Sequence, residues 1–246
     1  MPFFKSTFGA LTPLMQGFTV SLVMLTGFFP SFYAGQLAAQ IGHLKVVFAG
    51  AVTMAVGTML EATANKLAQL LVGRAAFGLG QGILLSNMYV YITEISPAAR
   101  RGMLASTPQM LCVFGICLGY FTCYGSIEID NSWSFRVPFV IEAILSAALA
   151  GFCLILPSSP RWLLMKERRA EAEASLERLN FSRVEAEKDF LNSTQRADAP
   201  PKNPFEAFFV IFRKEYRLRT FLALFVLGMA QLSGIDGVMC KDPLLP

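Results

Sequence analysis

Of the 246 residues, 54% are hydrophobic and only 15% are charged, whereas soluble domains carry about 25% charged residues. The mean hydropathy of +0.50 agrees, and together these values exclude an ordinary soluble domain. The formal net charge of +4 is no sign of a nucleic-acid partner, because its placement along the chain accounts for it.

No Asp, Glu, Lys or Arg lies between Lys5 and Lys45, or between Arg101 and Glu128. A helix crosses a bilayer with about 20 apolar residues, so runs of this length predict membrane spans. Six apolar segments follow in chain order, at 13–33, 46–64, 67–91, 103–124, 137–156 and 220–239. The first is too long and too poorly flanked to be a signal peptide. The connections between the first five are short, which predicts antiparallel neighbours. The expected fold is all-α and polytopic, with membrane lipid as its surroundings.

The basic residues orient these segments, since Lys and Arg concentrate on the cytoplasmic side. Lys45, Arg100, Arg101 and the basic residues of 157–219 total sixteen on one side. Lys5, Lys66 and Arg136 make three on the other, among Glu61, Glu128 and Asp130. The loop 157–219 is therefore expected in the cytoplasm and the amino terminus outside. Within that loop, 161–179 mixes Trp162, Leu163, Leu176 and Leu179 with charges, which predicts one amphipathic helix with an Arg169–Glu173 pair. Shorter helices are expected near 183–191 and 205–212.

A charge within the bilayer costs about 2.5 to 3.5 kcal/mol unless it is paired or hydrated. Arg74, Glu94, Glu142 and Asp236 stand out, with the uncharged but polar Gln109 and Gln231. Glu94, near the cytoplasmic face, can snorkel. Snorkelling suits Asp236 poorly, between Gly234-Ile235 and Gly237-Val238, and Arg74 is intermediate. The glycine cluster "GRAAFGLGQG" at 73–82 fits neither phosphate-loop spacing nor the dinucleotide fingerprint, and small residues on a membrane helix let backbones approach closely. The cysteines at 112, 117, 123, 153 and 240 show no metal-ligand spacing. No nucleophile–base pair can be assembled, and the single His43 lies in a loop near Lys45. The chain is expected not to be an enzyme, and no cofactor or metal is expected.

Four stretches carry a family likeness. "YITEISPAARRG" (91–102) resembles the motif that closes the fourth helix of major facilitator sugar porters, and "LPSSPRWL" (156–163) resembles the signature after their sixth helix. "GQLAAQIGH" (35–43) is similar to their loop between helices two and three, and "AQLSGID" (230–236) to a stretch of helix seven. The wording is most like the fungal branch. The resemblance implies a fold of twelve helices in two halves, with the six segments as helices two to seven and the chain shortened at both ends. It implies a partial amino-terminal half at 1–157, a cytoplasmic helical linker at 158–219, and the start of the second half at 220–246.

The resemblance also implies site residues. Gln109 matches a glutamine that hydrogen-bonds sugar hydroxyls, and an amide suits this because it both donates and accepts. Ile116, seven residues on, shares its face and is expected to line the pocket. Gln231 matches a second glutamine; Ala230 replaces another; Asp236 stands where the family has Asn. The family's Tyr-Tyr pair falls on Cys240 and Lys241 and is missing. Glu94, Arg101 and Arg161 match the cytoplasmic gate network, while Ser158, Ala39 and His43 replace three of its charged positions. Arg74 matches an arginine that faces an aspartate on helix one in proton-coupled members. With that helix outside the chain, that aspartate is not expected here, and Arg74 is the candidate for proton coupling.

The implied function is transmembrane transport of sugars by alternating access, with protons as a candidate second partner, in the plasma membrane, and with less than full activity in a shortened chain. Two alternatives stay open. One is a non-transporting, sensor-like or partner-binding membrane protein or an incomplete gene product. The other is a transporter of another polyol or an organic acid such as quinate.

Overall fold

The computed structural model describes residues 7–9, 11–129, 131–179, 181 and 217–232, with Ala230 and Gln231 as backbone alone. The described elements are helices: α1 Pro13–Ile41, α2 His43–Ala62, α3 Leu67–Ile95, α4 Arg101–Ile127, α5 Trp133–Ile155, α6 Pro160–Met165, α7 Arg169–Arg178 and α8 Arg217–Leu232. Five of them, α1 to α5, are long and apolar enough to cross a membrane. Two compact units divide the chain at residues 197 and 198. Helix α8 belongs to the second and covers the described part of the sixth apolar segment. The helices expected near 183–191 and 205–212 lie outside the described residues.

The helices run past the apolar segments that announced them. The first ends at Ile41, eight residues beyond the apolar limit at Tyr33. Hydropathy marks only the part in hydrocarbon, but backbone hydrogen bonding favours continuing the helix until something stops it. Here the stop is Gly42, whose φ of 97° is open to glycine and strained for other residues. Its N–H closes onto the Ala38 carbonyl at 2.9 Å, and α2 begins at the next residue. Hydroxyls within α1 satisfy themselves, with Thr19 donating to the Met15 carbonyl at 2.7 Å and Thr26 to that of Leu22 at 2.9 Å. Such back-bonding removes a polar cost that hydrocarbon would otherwise impose.

Helix α3 is the central element. It packs against α1 on one side and α2 on the other, and α2 also packs on α5. The glycines of 73–82 are what let α3 come close. A Cβ at Gly57 of α2 would sit 2.5 Å from the Phe77 backbone nitrogen, and one at Gly82 would sit 2.1 Å from the Gly27 carbonyl oxygen of α1. Gly50 and Gly80 meet in the same manner, at 3.0 and 2.6 Å from each other's carbonyls. The packing role expected of this cluster is therefore what the backbone shows. Val47, Ala51, Leu84, Ala150 and Cys153 form the buried cluster where α2, α3 and α5 meet. Helix α4 is different: Ser126 is its one buried residue.

The stretch 161–179, expected as one helix, is two. Helix α6 begins with Ser159 as N-cap and Pro160 at its first position, the arrangement in which a serine accepts an orphan N–H and proline lacks one. It ends in a Schellman motif, with Arg168 N–H on the Leu163 carbonyl and Glu167 N–H on the Leu164 carbonyl, both at 3.0 Å. The residue in the left-handed position is Glu167, φ 60°. The usual signal for such a stop is glycine; a glutamate there hides the break. The expected Arg169–Glu173 pair gives way to Arg168, whose guanidinium donates twice to Glu171 at 2.7 and 2.6 Å.

Candidate functional site

Among the described residues of the first unit, three groupings of polar side chains hold the expected site residues. The first lies where α1, α2, α3 and α6 converge. Glu94, near the end of α3, accepts a hydrogen bond from the Ser159 hydroxyl at 2.6 Å and lies 3.4 Å from His43 Nε2. Ser159 in turn accepts the Trp162 backbone N–H at 3.3 Å. The Trp162 indole donates to the Ala39 carbonyl at 3.0 Å and its ring covers Gly42. Tyr91, buried on α3, donates to the Pro157 carbonyl at 2.7 Å, and Ser175 donates to that of Ser158 at 2.7 Å. So α6 and α7, expected in the linker, are fastened onto the ends of the spanning helices.

Of the expected gate residues, Glu94 sits at the centre of this grouping. Its neighbour is the buried His43, which stands where the family motif has a charged residue. Arg101 donates to the Ser96 carbonyl at 3.5 Å, across the turn that joins α3 to α4. Arg161 lies half-buried on α6. Among the described residues, the ion pairs are Arg74–Glu61 and Arg168–Glu171, while His43–Glu94 becomes one only when the imidazole is protonated, which burial of His43 disfavours although Glu94 favours it. Neither Arg101 nor Arg161 enters one.

The second grouping surrounds Arg74. The aspartate that faces this arginine in proton-coupled members was not expected from this chain, and Arg74 Nε lies 3.3 Å from Glu61 Oε2. Glu61, counted with the charges of the outer side, is buried, its side chain 1% exposed. Gly73 makes this possible, since a Cβ there would come within 2.7 Å of Glu61 Cγ. The Arg74 guanidinium carbon stands 5.4 Å over the Phe139 ring of α5.

The third grouping is on α4. Gln109 and Ile116 are both exposed on it. The Gln109 amide is held by the Tyr89 hydroxyl of α3, which donates to Oε1 at 3.4 Å. With that oxygen engaged, the amide's N–H₂ is left to donate and its second lone pair to accept. Gln231 lies on the backbone of α8 in the second unit, and Asp236 lies outside the described residues. A cavity of about 880 Å³ lies elsewhere, against Ile92, Ser96, Pro97, Arg100 and Thr107. Neither Gln109 nor Ile116 lines it. Sequence reasoning passed over Glu61, Tyr89, Ser159 and Trp162. Glu61 carried a legible signal, an acid three residues inside the end of an apolar run, and the others carried none beyond their family motifs.

Comparison with known proteins agrees with this architecture. A family profile described as "Sugar (and other) transporter" matches residues 5–241. The chain is 30% identical over 234 residues to "Sugar transport protein MST3" of Oryza sativa subsp. japonica, covering 94% of this chain and 44% of that protein. It is 32% identical over 228 residues to "Plastidic glucose transporter 4" of Arabidopsis thaliana, covering 92% and 41%. The major facilitator proton:xylose symporter XylE, solved with 6-bromo-6-deoxy-D-glucose, superposes with a TM-score of 0.69 at 20% identity, over 89% of this chain and 50% of that one. The chain thus spans about half the length of the relatives it matches. From its five span-length helices, their glycine-mediated packing and this match, the chain is an integral membrane protein of the major facilitator fold that belongs to the sugar transporter family.

Proposed function

We propose that the protein serves transmembrane transport of a hexose or related sugar by alternating access. The observation that carries the reading is Gln109, an uncharged amide presented on the exposed face of an otherwise apolar spanning helix and oriented by Tyr89. A sugar hydroxyl both donates and accepts, and so does the amide. A carboxylate substrate would call for a fixed cation, and on α4 the nearest is Arg101, eight residues away at the helix start. The names of the relatives, sugar and glucose transport proteins, support the same substrate class.

In this reading Gln109 and Ile116 line the sugar path, joined by Gln231 and Asp236 from the following half. Glu94, Arg101 and Arg161 close the cytoplasmic end, where the excess of Lys and Arg places α6 and α7. Arg74 belongs to proton coupling, and the membrane is the plasma membrane. Residues 1–157, 158–219 and 220–246 act as partial first half, linker and start of the second half.

Uptake of labelled hexose into liposomes carrying the purified chain tests this. Uptake above protein-free liposomes is expected, competed by glucose and not by quinate. It falls about tenfold in Gln109→Ala, the loss of one or two hydrogen bonds. Uptake no greater than in protein-free liposomes overturns transport by this chain and favours a sensor-like or partner-binding role. A fluorescent fusion seen in a plastid rather than at the cell surface would correct the compartment.

A further inference from the structure

A cavity of about 170 Å³ lies between the start of α2 and the corner where α6 turns into α7. The first residues of α2 line it, together with Ser158, Trp162, Arg168 and Glu171. The first turn of a helix leaves its N–H groups without intrahelical acceptors, here those of His43, Leu44 and Lys45. Gly42, the N-cap, has no side chain to accept them, and no acid stands in that turn. Such an end carries about half a positive charge. Lys45 adds a full one and enters no ion pair among the described residues. Arg168 donates to Glu171 from Nε and Nη2. This neutralises the acid that lines the cavity and leaves Arg168 Nη1 to donate.

His43 points to a ligand independently of the helix end. It lines the cavity, with its side chain only 9% exposed. Its Nε2 lies 3.4 Å from Oε2 of Glu94, which does not line the cavity. The other ring nitrogen, Nδ1, is buried with no hydrogen-bond partner. An unpaired buried polar atom costs stability, and an acceptor in the cavity would remove that cost.

We propose that this cavity binds a phosphate-class oxyanion. Several oxygens on one small anion match donors that converge from separate elements: the α2 N–H groups, Lys45, His43 Nδ1, the Ser158 hydroxyl and Arg168 Nη1. With Nε2–H toward Glu94 and Nδ1–H toward the anion, His43 is an imidazolium between two negative groups. Binding to a neutral His43 therefore takes one proton from water onto the ring, and no other bond forms or breaks. The charged groups around His43 are Glu94 on α3, Lys45 on α2 and the Arg168–Glu171 pair at the start of α7; α1 carries none. The excess of Lys and Arg puts this end in the cytoplasm. There the phosphate comes from a soluble compound or from an acidic lipid headgroup. The site goes beyond the transport reading and does not rest on it.

The chain has one histidine, so nitrogen NMR of the imidazole reads the site directly, on the tag-free chain in phosphatidylcholine nanodiscs. Inorganic phosphate, added at constant pH and ionic strength, is expected to move the Nδ1 signal to its protonated position in a saturable manner. Lys45→Gln is expected to raise the half-saturating phosphate concentration about tenfold. Ser158→Glu puts a carboxylate into the cavity and is expected to abolish the response. Nanodiscs that also contain phosphatidic acid, without added phosphate, form the second arm. A response to phosphate assigns the site to soluble compounds, and a response to phosphatidic acid alone assigns it to the headgroup; both support the site. A histidine signal that neither moves overturns the proposal, as does a response that Lys45→Gln and Ser158→Glu leave unaltered. Should Ser158→Glu fail to fold, Lys45→Gln, exposed at the surface, decides by itself. No sugar enters the measurement, so a chain that transports nothing leaves its outcome standing.

Discussion

The indole of Trp162 donates to the carbonyl of Ala39 at 3.0 Å across 123 positions of sequence. That carbonyl belongs to the last turn of α1, where the helix leaves carbonyls without intrahelical partners. The same ring lies 3.5 Å from where a Cβ would stand on Gly42. One side chain thus caps α1, covers the hinge into α2 and anchors α6. Trp162→Ala is expected to cost about 2 kcal/mol, less than full burial because the ring is half-exposed. Trp162→Phe, which keeps the ring and loses the bond, is expected to cost about 1 kcal/mol. Thermal unfolding in detergent, with the two variants ranked against wild type, checks this; equal stability of all three would remove the latch.

Glycines on different helices are expected to respond oppositely to the same substitution. Gly57→Ala places its methyl 2.5 Å from a backbone nitrogen of α3, where nothing flexible can yield. Gly115→Ala on α4 meets nothing within 4 Å and gains the helix propensity of alanine, about 1 kcal/mol. The fraction of monodisperse protein on size exclusion should fall sharply for the first and hold or rise for the second. Similar profiles for both would mean that α2 and α3 are not in backbone contact.

Glu167 holds the left-handed position of the Schellman motif at φ 60°. A side chain there costs about 1 kcal/mol that glycine avoids. Glu167→Gly is therefore expected to raise stability by up to that amount, while Glu167→Val lowers it. Denaturation midpoints of the pair are the measurement. A destabilised glycine variant would indicate that the glutamate side chain contributes more than the turn costs.

Tyr89 gives the sugar reading a second handle. Its hydroxyl holds Gln109 Oε1 at 3.4 Å, so Tyr89→Phe leaves the amide free to rotate. The expected result is a rise of about threefold to tenfold in the half-saturating hexose concentration, with a smaller change in maximal uptake and no change in protein abundance. Transport unaltered by Tyr89→Phe but reduced by Gln109→Ala would show that the amide needs no orienting partner.

Much of the molecule was legible before any coordinates. The two uncharged runs and the spacing of Lys and Arg mark the spans because bilayer thickness and charge transfer are one-dimensional constraints. Proline after serine at Ser159-Pro160 marks a helix start for a local reason. The glycines at 73–82 announced close packing, though not which partners they touch. Where the reading fell short, the deciding residues were distant in sequence or locally atypical. Glu167 stops α6 without being glycine. Arg74 meets Glu61, which the sequence did not pair with it, because α2 and α3 lie within glycine distance of each other.

Sequence by itself determined the solvent this protein folds in, the helical content and the family, since each follows from composition, period and contiguous motifs. Only the tertiary structure decided which polar groups share an environment. Glu94 meets His43 and Ser159, Gln109 meets Tyr89, and Arg74 meets Glu61 from the neighbouring helix. The physical reason is that the cost of a buried charge depends on its neighbours in space. Those neighbours are set by which helix faces the glycines allow into contact, and a linear pattern does not record that.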